Sequence, residues 1–281
     1  MRQPSPATSK RTIRISLKYY MIEPGATLAD KLKLVRDLGY DGVELDSPND
    51  FNPDEVLKAR DASGGLIING VVDSVHWSKT LGDPDPAVRA EGVKGLERAL
   101  RDAKTYGATS VLLVPAVVNE KMSYADAYSR SQEEIRRVLP LATELNVKIA
   151  FENVWNNFLL SPLEAARYVD DLKSPMVAWH FDVGNIVNYG WPEQWIRTLG
   201  PRIFKLDIKE YSRKKRNDEG LWKGFDVELG EGDCNWPEVV KALDDVGYSR
   251  GENRWAALEV GGGDEKRLKF LLERTRTLLA L

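Results

Sequence analysis

Four acidic side chains close four short apolar runs: Ala150-Phe-Glu152, His180-Phe-Asp182, Lys205-Leu-Asp207 and Ala257-Leu-Glu259. Side chains alternate across an extended chain. If these acids share one face, Phe151, Phe181, Leu206 and Leu258 share the other, and all four are large and apolar, as a sheet face packed on helices requires. Converging carboxylates repel and raise one another's pKa unless a cation neutralises them. The expectation is one divalent metal held by Glu152, Asp182, Asp207 and Glu259. Ligation by oxygen alone suits Mn²⁺ or Mg²⁺ over Zn²⁺. The competing reading makes the acids separate ion-pair partners of Lys148, Lys205 and Lys209; their matching register favours the metal.

The elements that would position these acids alternate strand and helix along the whole chain. Strands are expected at 12–17, 42–45, 66–72, 110–115, 147–152, 176–182, 203–208 and 255–260. Apolar positions Leu28, Leu32, Val35 and Leu38 recur at helical spacing behind the pair Thr27 and Asp30, and Gly39 ends that helix. Further helices are expected at 52–62, 85–106, 123–145 (bent at Pro140), 161–172, 191–199, 236–246 and 264–279, with a long charged loop after the seventh strand. Eight β–α repeats without a spare strand predict a single (β/α)₈ barrel, with an open doubly wound sheet as the fallback. No G-x-G-x-x-G opens a helix after the first strand, which speaks against a dinucleotide fold. In such a barrel the carboxyl ends of the strands form the active-site mouth.

The bulk composition narrows the chemistry. The chain has 281 residues, a length ordinary for one such barrel, with 42% hydrophobic and 30% charged residues. The net charge of −3 argues against nucleic acid as the main partner. One cysteine, Cys234, and two histidines, His76 and His180, exclude an internal disulfide, a cysteine zinc site and a histidine-rich metal cluster. No apolar run has the length of a membrane span, and residues 1–11 lack the apolar core of a signal peptide. The expectation is therefore a cytoplasmic protein with a disordered polar tail at 1–11, a barrel domain over 12–281, and no membrane or nucleic-acid partner.

Other residues fall at the same mouth. His76 follows the third strand and is either a substrate hydrogen-bond donor or a capped loop histidine. His180 shares the parity of Asp182 but lies two residues deeper, which suits a hydrogen bond inside the barrel. Lys205 points inward and can contact a substrate oxygen or compensate Asp207. Trp77, Trp155, Trp191 and Trp222 could stack on a sugar. The basic run Arg213-Lys-Lys-Arg216 could grip an anion, but Asp218-Glu219 behind it favours a solvated loop or a lid.

Taken in order, Phe151-Glu-Asn153, Phe181-Asp-Val-Gly-Asn185, Lys205-Leu-Asp-Ile-Lys-Glu210, Leu229-Gly-Glu-Gly-Asp233, Trp236, Gly247-Tyr248 and Leu258-Glu-Val260 resemble the xylose-isomerase-like TIM-barrel superfamily of sugar isomerases and epimerases. That superfamily also contains metal-dependent abasic-site endonucleases, whose several histidines this chain lacks. The resemblance covers nearly the whole chain and implies a Glu, Asp, His, Glu metal set. Glu152, Asp182 and Glu259 match directly, whereas the histidine ligand falls at Asp207 and a following histidine at Asn185. The acid that ketose 3-epimerases carry six residues beyond the first glutamate falls at Phe158. Arg213 stands where similar enzymes keep an arginine. The candidate substrate contacts at the mouth are His76, Asn153, Asn185, Lys205 and Arg213.

The chemistry this set suits is proton abstraction next to a carbonyl, with the metal stabilising the enediolate. Glu152 and Glu259 are the expected acid and base, one removing the proton and the other returning it. The expected function is a metal-dependent isomerase or epimerase of carbohydrate metabolism acting on a small sugar or sugar derivative. Two alternatives stand beside it: a lyase or hydrolase of 3-keto-glycosides, and a non-catalytic carbohydrate-binding barrel. Barrels of this kind often pair through the helical shell, so a homo-oligomer is allowed.

Overall fold

The structure is a computed structural model that describes residues 11–280. Eight parallel strands, β1 (Arg14–Lys18), β2 (Gly42–Ser47), β3 (Ile67–Asp73), β4 (Ser110–Leu113), β5 (Lys148–Glu152), β6 (Val177–Asp182), β7 (Ile203–Ile208) and β8 (Trp255–Leu258), pair in sequence order and close into a barrel. The helices among the described residues are α1 (Leu28–Leu38), α2 (Pro53–Ala62), α3 (Pro86–Tyr106), α4 (Tyr124–Leu145), α5 (Pro162–Asp171), α6 (Val183–Val187), α7 (Pro192–Leu199), α8 (Arg213–Glu219), α9 (Trp236–Asp245) and α10 (Glu265–Leu278). This is the (β/α)₈ barrel expected from the repeats.

Local chemistry accounts for the helix starts. Thr27 and Asp30 form a reciprocal capping box at α1, and Gly39 ends that helix in the left-handed region. Asn52, Asp85 and Ser161 cap helices that carry proline in the first turn, where the missing N–H costs nothing. Helix α4 continues through Pro140. Two helices were not expected. Helix α6 starts directly at the end of β6, because the Asp182 carboxylate caps it by accepting from Asn185 N–H. The charged stretch after β7 is not a loop throughout: Ser212 caps α8, and a 3₁₀ turn follows over Leu221–Phe225. Of the tail expected at residues 1–11, residues 1–10 lie outside the described residues, while Arg11 is ion-paired to Asp244 at 2.7 Å.

Phe151, Phe181, Leu206 and Leu258 are fully buried in the apolar layer between strands and helices. The barrel interior, in contrast, holds a charged network. Glu44 on β2 accepts from Lys18 at 2.7 Å and from Asn69 at 3.1 Å, and Lys205 reaches across from β7 to Glu44 at 3.5 Å and to the Asn69 carbonyl. Gly70 makes this possible, since a Cβ there would lie 2.5 Å from Glu44 Oε1 and 2.7 Å from Lys205 Nζ. A buried pair like this contributes little net stability, but losing one partner strands the other charge.

Candidate metal centre

The ends of β5 to β8 bring Glu152, Asp182, Asp207 and Glu259 together, with one carboxylate oxygen from each lying within 4.8 Å of the others. Each carboxylate is aimed by its neighbours. Asp207 Oδ1 is 2.9 Å from His180 Nε2 and 3.0 Å from Lys18 Nζ, which leaves Oδ2 buried with no partner. Asp182 Oδ1 accepts from Asn185 N–H at 2.7 Å, which turns Oδ2 toward Lys209 Nζ at 3.0 Å. Lys209 Nζ also lies 3.1 Å from Glu259 Oε2. Neither of those two oxygens has a hydrogen bond of acceptable geometry. Asn185 Nδ2 donates to the Asn153 carbonyl at 3.0 Å and lies 3.4 Å from Glu152 Oε1.

The charges do not balance. Glu44, Glu152, Asp182, Asp207 and Glu259 face three ammonium groups, Lys18, Lys205 and Lys209, and the His180 imidazole, so the acids outnumber their basic partners. The imbalance appears in the protonation of the acids. Burial, reinforced by Glu259, Asp207 and Asp182, holds Glu152 well above the usual carboxylate range. Burial also raises Asp182 to about 6, against the pull of Lys209. Asp207 goes the other way: burial opposes its ionisation, but His180 and Lys18 outweigh it and keep the carboxyl low. Oxygen-only donors, the buried Asp207 Oδ2 without a partner and an excess of acids over basic groups fit a hard divalent cation.

The remaining expected site residues divide. His76 lines a cavity of about 250 Å³ together with Glu152, Glu259, Asp46, Asp73 and Trp77. Its Nδ1 accepts from Val114 N–H at 3.2 Å, which leaves the proton on Nε2. Burial, with Lys18 nearby, depresses its pKa to about 3, so the ring stays neutral. Asn153 is occupied in positioning: its Oδ1 accepts from Asp182 N–H at 3.0 Å and from Trp179 Nε1 at 3.0 Å, while its Nδ2 donates to the Asp182 carbonyl at 2.7 Å. Lys205 is fully buried below the centre against Asn69 and Glu44, away from the cavity. Arg213 donates to the carbonyls of Val187 and Gly190, with its guanidinium 5.2 Å from the centroid of Trp191. The basic run is likewise spent internally, with Lys215 on the Asp226 carbonyl and Arg216 on that of Asn188.

The sequence profile of the family described as Xylose isomerase-like TIM barrel matches residues 32–275. The chain belongs to this family. Among its relatives, L-ribulose-5-phosphate 3-epimerase UlaE of Salmonella paratyphi A is 23% identical over 235 residues, covering 80% of each chain. Two solved structures share the fold. The 3-keto-D-glucoside 4-epimerase YcjR of E. coli superposes with a TM-score of 0.76 at 15% identity, covering 96% of this chain and 100% of the other. The IOLI protein with a bound zinc atom gives 0.77 at 17%, covering 95% and 98%. No helix among the described residues is long and apolar enough to cross a membrane.

Several residues of this family member escaped sequence reasoning. Glu44 and Lys18 belong to β2 and β1, outside the four strands whose terminal acids were read as ligands, and only barrel closure brings them beside Asp207. Glu210 looks like a fifth strand-end acid, yet its carboxylate accepts from the N–H groups of Gly230 at 2.7 Å and Cys234 at 3.1 Å and from Trp236 Nε1 at 2.8 Å. It anchors the loop before α9. Lys209 was expected only as a structural ion-pair partner, although the repeated spacing Lys205, Asp207, Lys209 was a visible signal.

Proposed function

We propose that the protein is a divalent-metal-dependent sugar isomerase or epimerase that removes and returns a proton next to a carbonyl. The observation that carries this reading is the cluster of Glu152, Asp182, Asp207 and Glu259, whose oxygens meet within 4.8 Å and whose acids outnumber the basic groups around them. These four residues would hold the cation, with Mn²⁺ or Mg²⁺ the best match to an all-carboxylate set. When bound, the cation would supply a Lewis acid for the negative charge that develops as the C–H bond ionises.

The chain's own groups would do the rest. Glu152 and Glu259 both border the 250 Å³ cavity and are the assigned base and acid. His76 would present its Nε2–H to a substrate oxygen as a fixed neutral donor. Asn185 would hold Glu152 at the angle proton transfer requires. The relatives support the class of reaction, since the curated match is an epimerase of a sugar phosphate and a structural match is an epimerase of a keto-glucoside.

The test is solvent deuterium uptake into candidate ketoses and keto-glycosides by the Mn²⁺-loaded protein. Glu152→Gln and Glu259→Gln should each abolish it, and full exchange in either variant would overturn the assignment. A second reading has one observation in its favour. Phe158 packs against Tyr124, Tyr128 and Tyr168, so the position that resembles the acid of ketose 3-epimerases offers no polar group. That favours a lyase or hydrolase acting on 3-keto-glycosides, in which the same proton abstraction ends in β-elimination. Product analysis separates the two, because elimination releases the aglycone. A protein that binds sugar but neither binds metal nor exchanges protons would instead be a carbohydrate-binding barrel.

A further inference from the structure

Lys209 is a cation tethered inside the carboxylate cluster. It follows β7 directly, and it lies close against the start of α6 because Gly184 has no side chain; a Cβ there would come within 2.8 Å of Lys209 Cβ. Its Nζ lies 3.0 Å from Asp182 Oδ2, 3.1 Å from Glu259 Oε2 and 3.5 Å from Asn185 Oδ1. Both carboxylate oxygens otherwise lack partners. A small divalent cation bonds oxygen at about 2.1 Å. It would share the same two carboxylates with an ammonium group a few ångströms away, and like charges at that separation repel strongly where water is scarce.

A way out exists. A second cavity of about 740 Å³ adjoins the first, sharing Tyr20 and Glu259 with it, and Lys209 itself forms part of its wall. Phe225 lies beside the lysine there, with its ring centroid 5.5 Å from the ammonium nitrogen. Of the acids lining this cavity, Asp226 is paired with Lys223 and Glu228 with Arg267. Glu231 is solvent-exposed and has no ion pair among the described residues. Lysine suits such a move, being a compact charge on a flexible stem.

We infer that Lys209 and the divalent cation exchange at this centre. In the metal-free protein Lys209 neutralises Asp182 and Glu259; when the cation enters, the side chain turns into the 740 Å³ cavity, toward Glu231 and any ligand bound there. The inference rests on the metal-dependent reading above and adds a second consequence to it. The chain can fold without metal because three lysines, rather than two, serve the charged interior.

The experiment compares full-length, metal-stripped wild type with Lys209→Met and Glu231→Gln. Lysine acylation followed by mass spectrometry reports the exposure of Lys209 with and without saturating Mn²⁺, while calorimetry and melting report Mn²⁺ binding. In wild type, Mn²⁺ should raise acylation of Lys209 about tenfold, a coupling within the usual range. Lys209→Met should melt lower than wild type without metal and bind Mn²⁺ about tenfold more tightly, since no tethered cation has to leave. Glu231→Gln should bind Mn²⁺ more weakly than wild type, having lost the counter-ion that receives the lysine. Mn²⁺ binding to wild type with unchanged acylation, or unchanged or weakened binding in Lys209→Met, overturns the exchange and leaves the metal reading standing. If wild type binds none of Mn²⁺, Mg²⁺, Co²⁺ or Zn²⁺, the metal reading falls and the exchange falls with it.

Discussion

Asp73 shows how a single side chain at the mouth couples to pH. Burial raises its pKa to about 7, only partly offset by the Val75 N–H that its Oδ1 accepts at 3.1 Å. A carboxyl whose folded pKa lies above its unfolded value binds more protons in the folded state between those values. Stability should therefore fall as pH rises from about 4 to 7, by up to about 4 kcal/mol for a shift of about three pH units. Asp73→Asn should flatten that slope in urea titrations across the window and be the more stable protein at pH 8. An unchanged slope in the variant would assign the pH dependence to other groups. His76 behaves oppositely. With its pKa near 3 and its Nδ1 held by Val114, it should carry no charge through the same window. Its NMR ring signals should not titrate between pH 5 and 8.

At the scale of elements, the decisive contacts are those that fix where a strand or helix ends. The Glu210 carboxylate is buried and takes three N–H donors from the stretch between Gly230 and Trp236. Its removal orphans those donors and opens a void, so Glu210→Ala should cost about 3 kcal/mol or more. Limited proteolysis should then cut first between residues 226 and 235; cleavage elsewhere would mean that Glu210 anchors something other than this loop. A helix cap offers a smaller, calibrating effect. Thr27→Ala removes one half of the capping box of α1 and should cost about 1 kcal/mol, with the activity measured by deuterium exchange unaltered.

At the scale of the molecule, the barrel holds a network of ion pairs in its interior. Breaking the Glu44–Lys205 pair from one side leaves a buried unpaired charge, at a cost of about 3–5 kcal/mol. Lys205→Met and Glu44→Gln should each show this in urea unfolding. The double variant leaves neither member of the pair as an unpaired charge, so it should be less destabilised than the two single effects added together. Strict additivity would mean that the pair is energetically uncoupled. Metal should act on the same network from above. Removing a cation present at about 100 times its dissociation constant forfeits about 2.7 kcal/mol. Chelation should therefore lower the melting temperature and Mn²⁺ restore it, much less so in Asp207→Ala, which loses the carboxylate that His180 and Lys18 hold ionised.

What was legible in the sequence was whatever depends on neighbours along the chain. Period-two and period-3.6 patterns, caps such as Thr27 with Asp30, and glycine stops located the strands and most helices, and strand parity put Glu152, Asp182, Asp207 and Glu259 on the face opposite four apolar residues. Helix α6 stayed hidden because its cap, Asp182, also reads as the end of a strand, and α8 because seven polar residues leave no apolar stripe. The partners of the acids were not legible at all. Glu44 lies 161 residues from Lys205, and nothing local says that β2 and β7 meet across a closed barrel. Electrostatics in a low-dielectric interior depends on distances of a few ångströms between such remote groups. The sequence alone therefore determined which residue types stand at the mouth, and only the tertiary structure decided which lysines neutralise them and how many charges remain for a metal to balance.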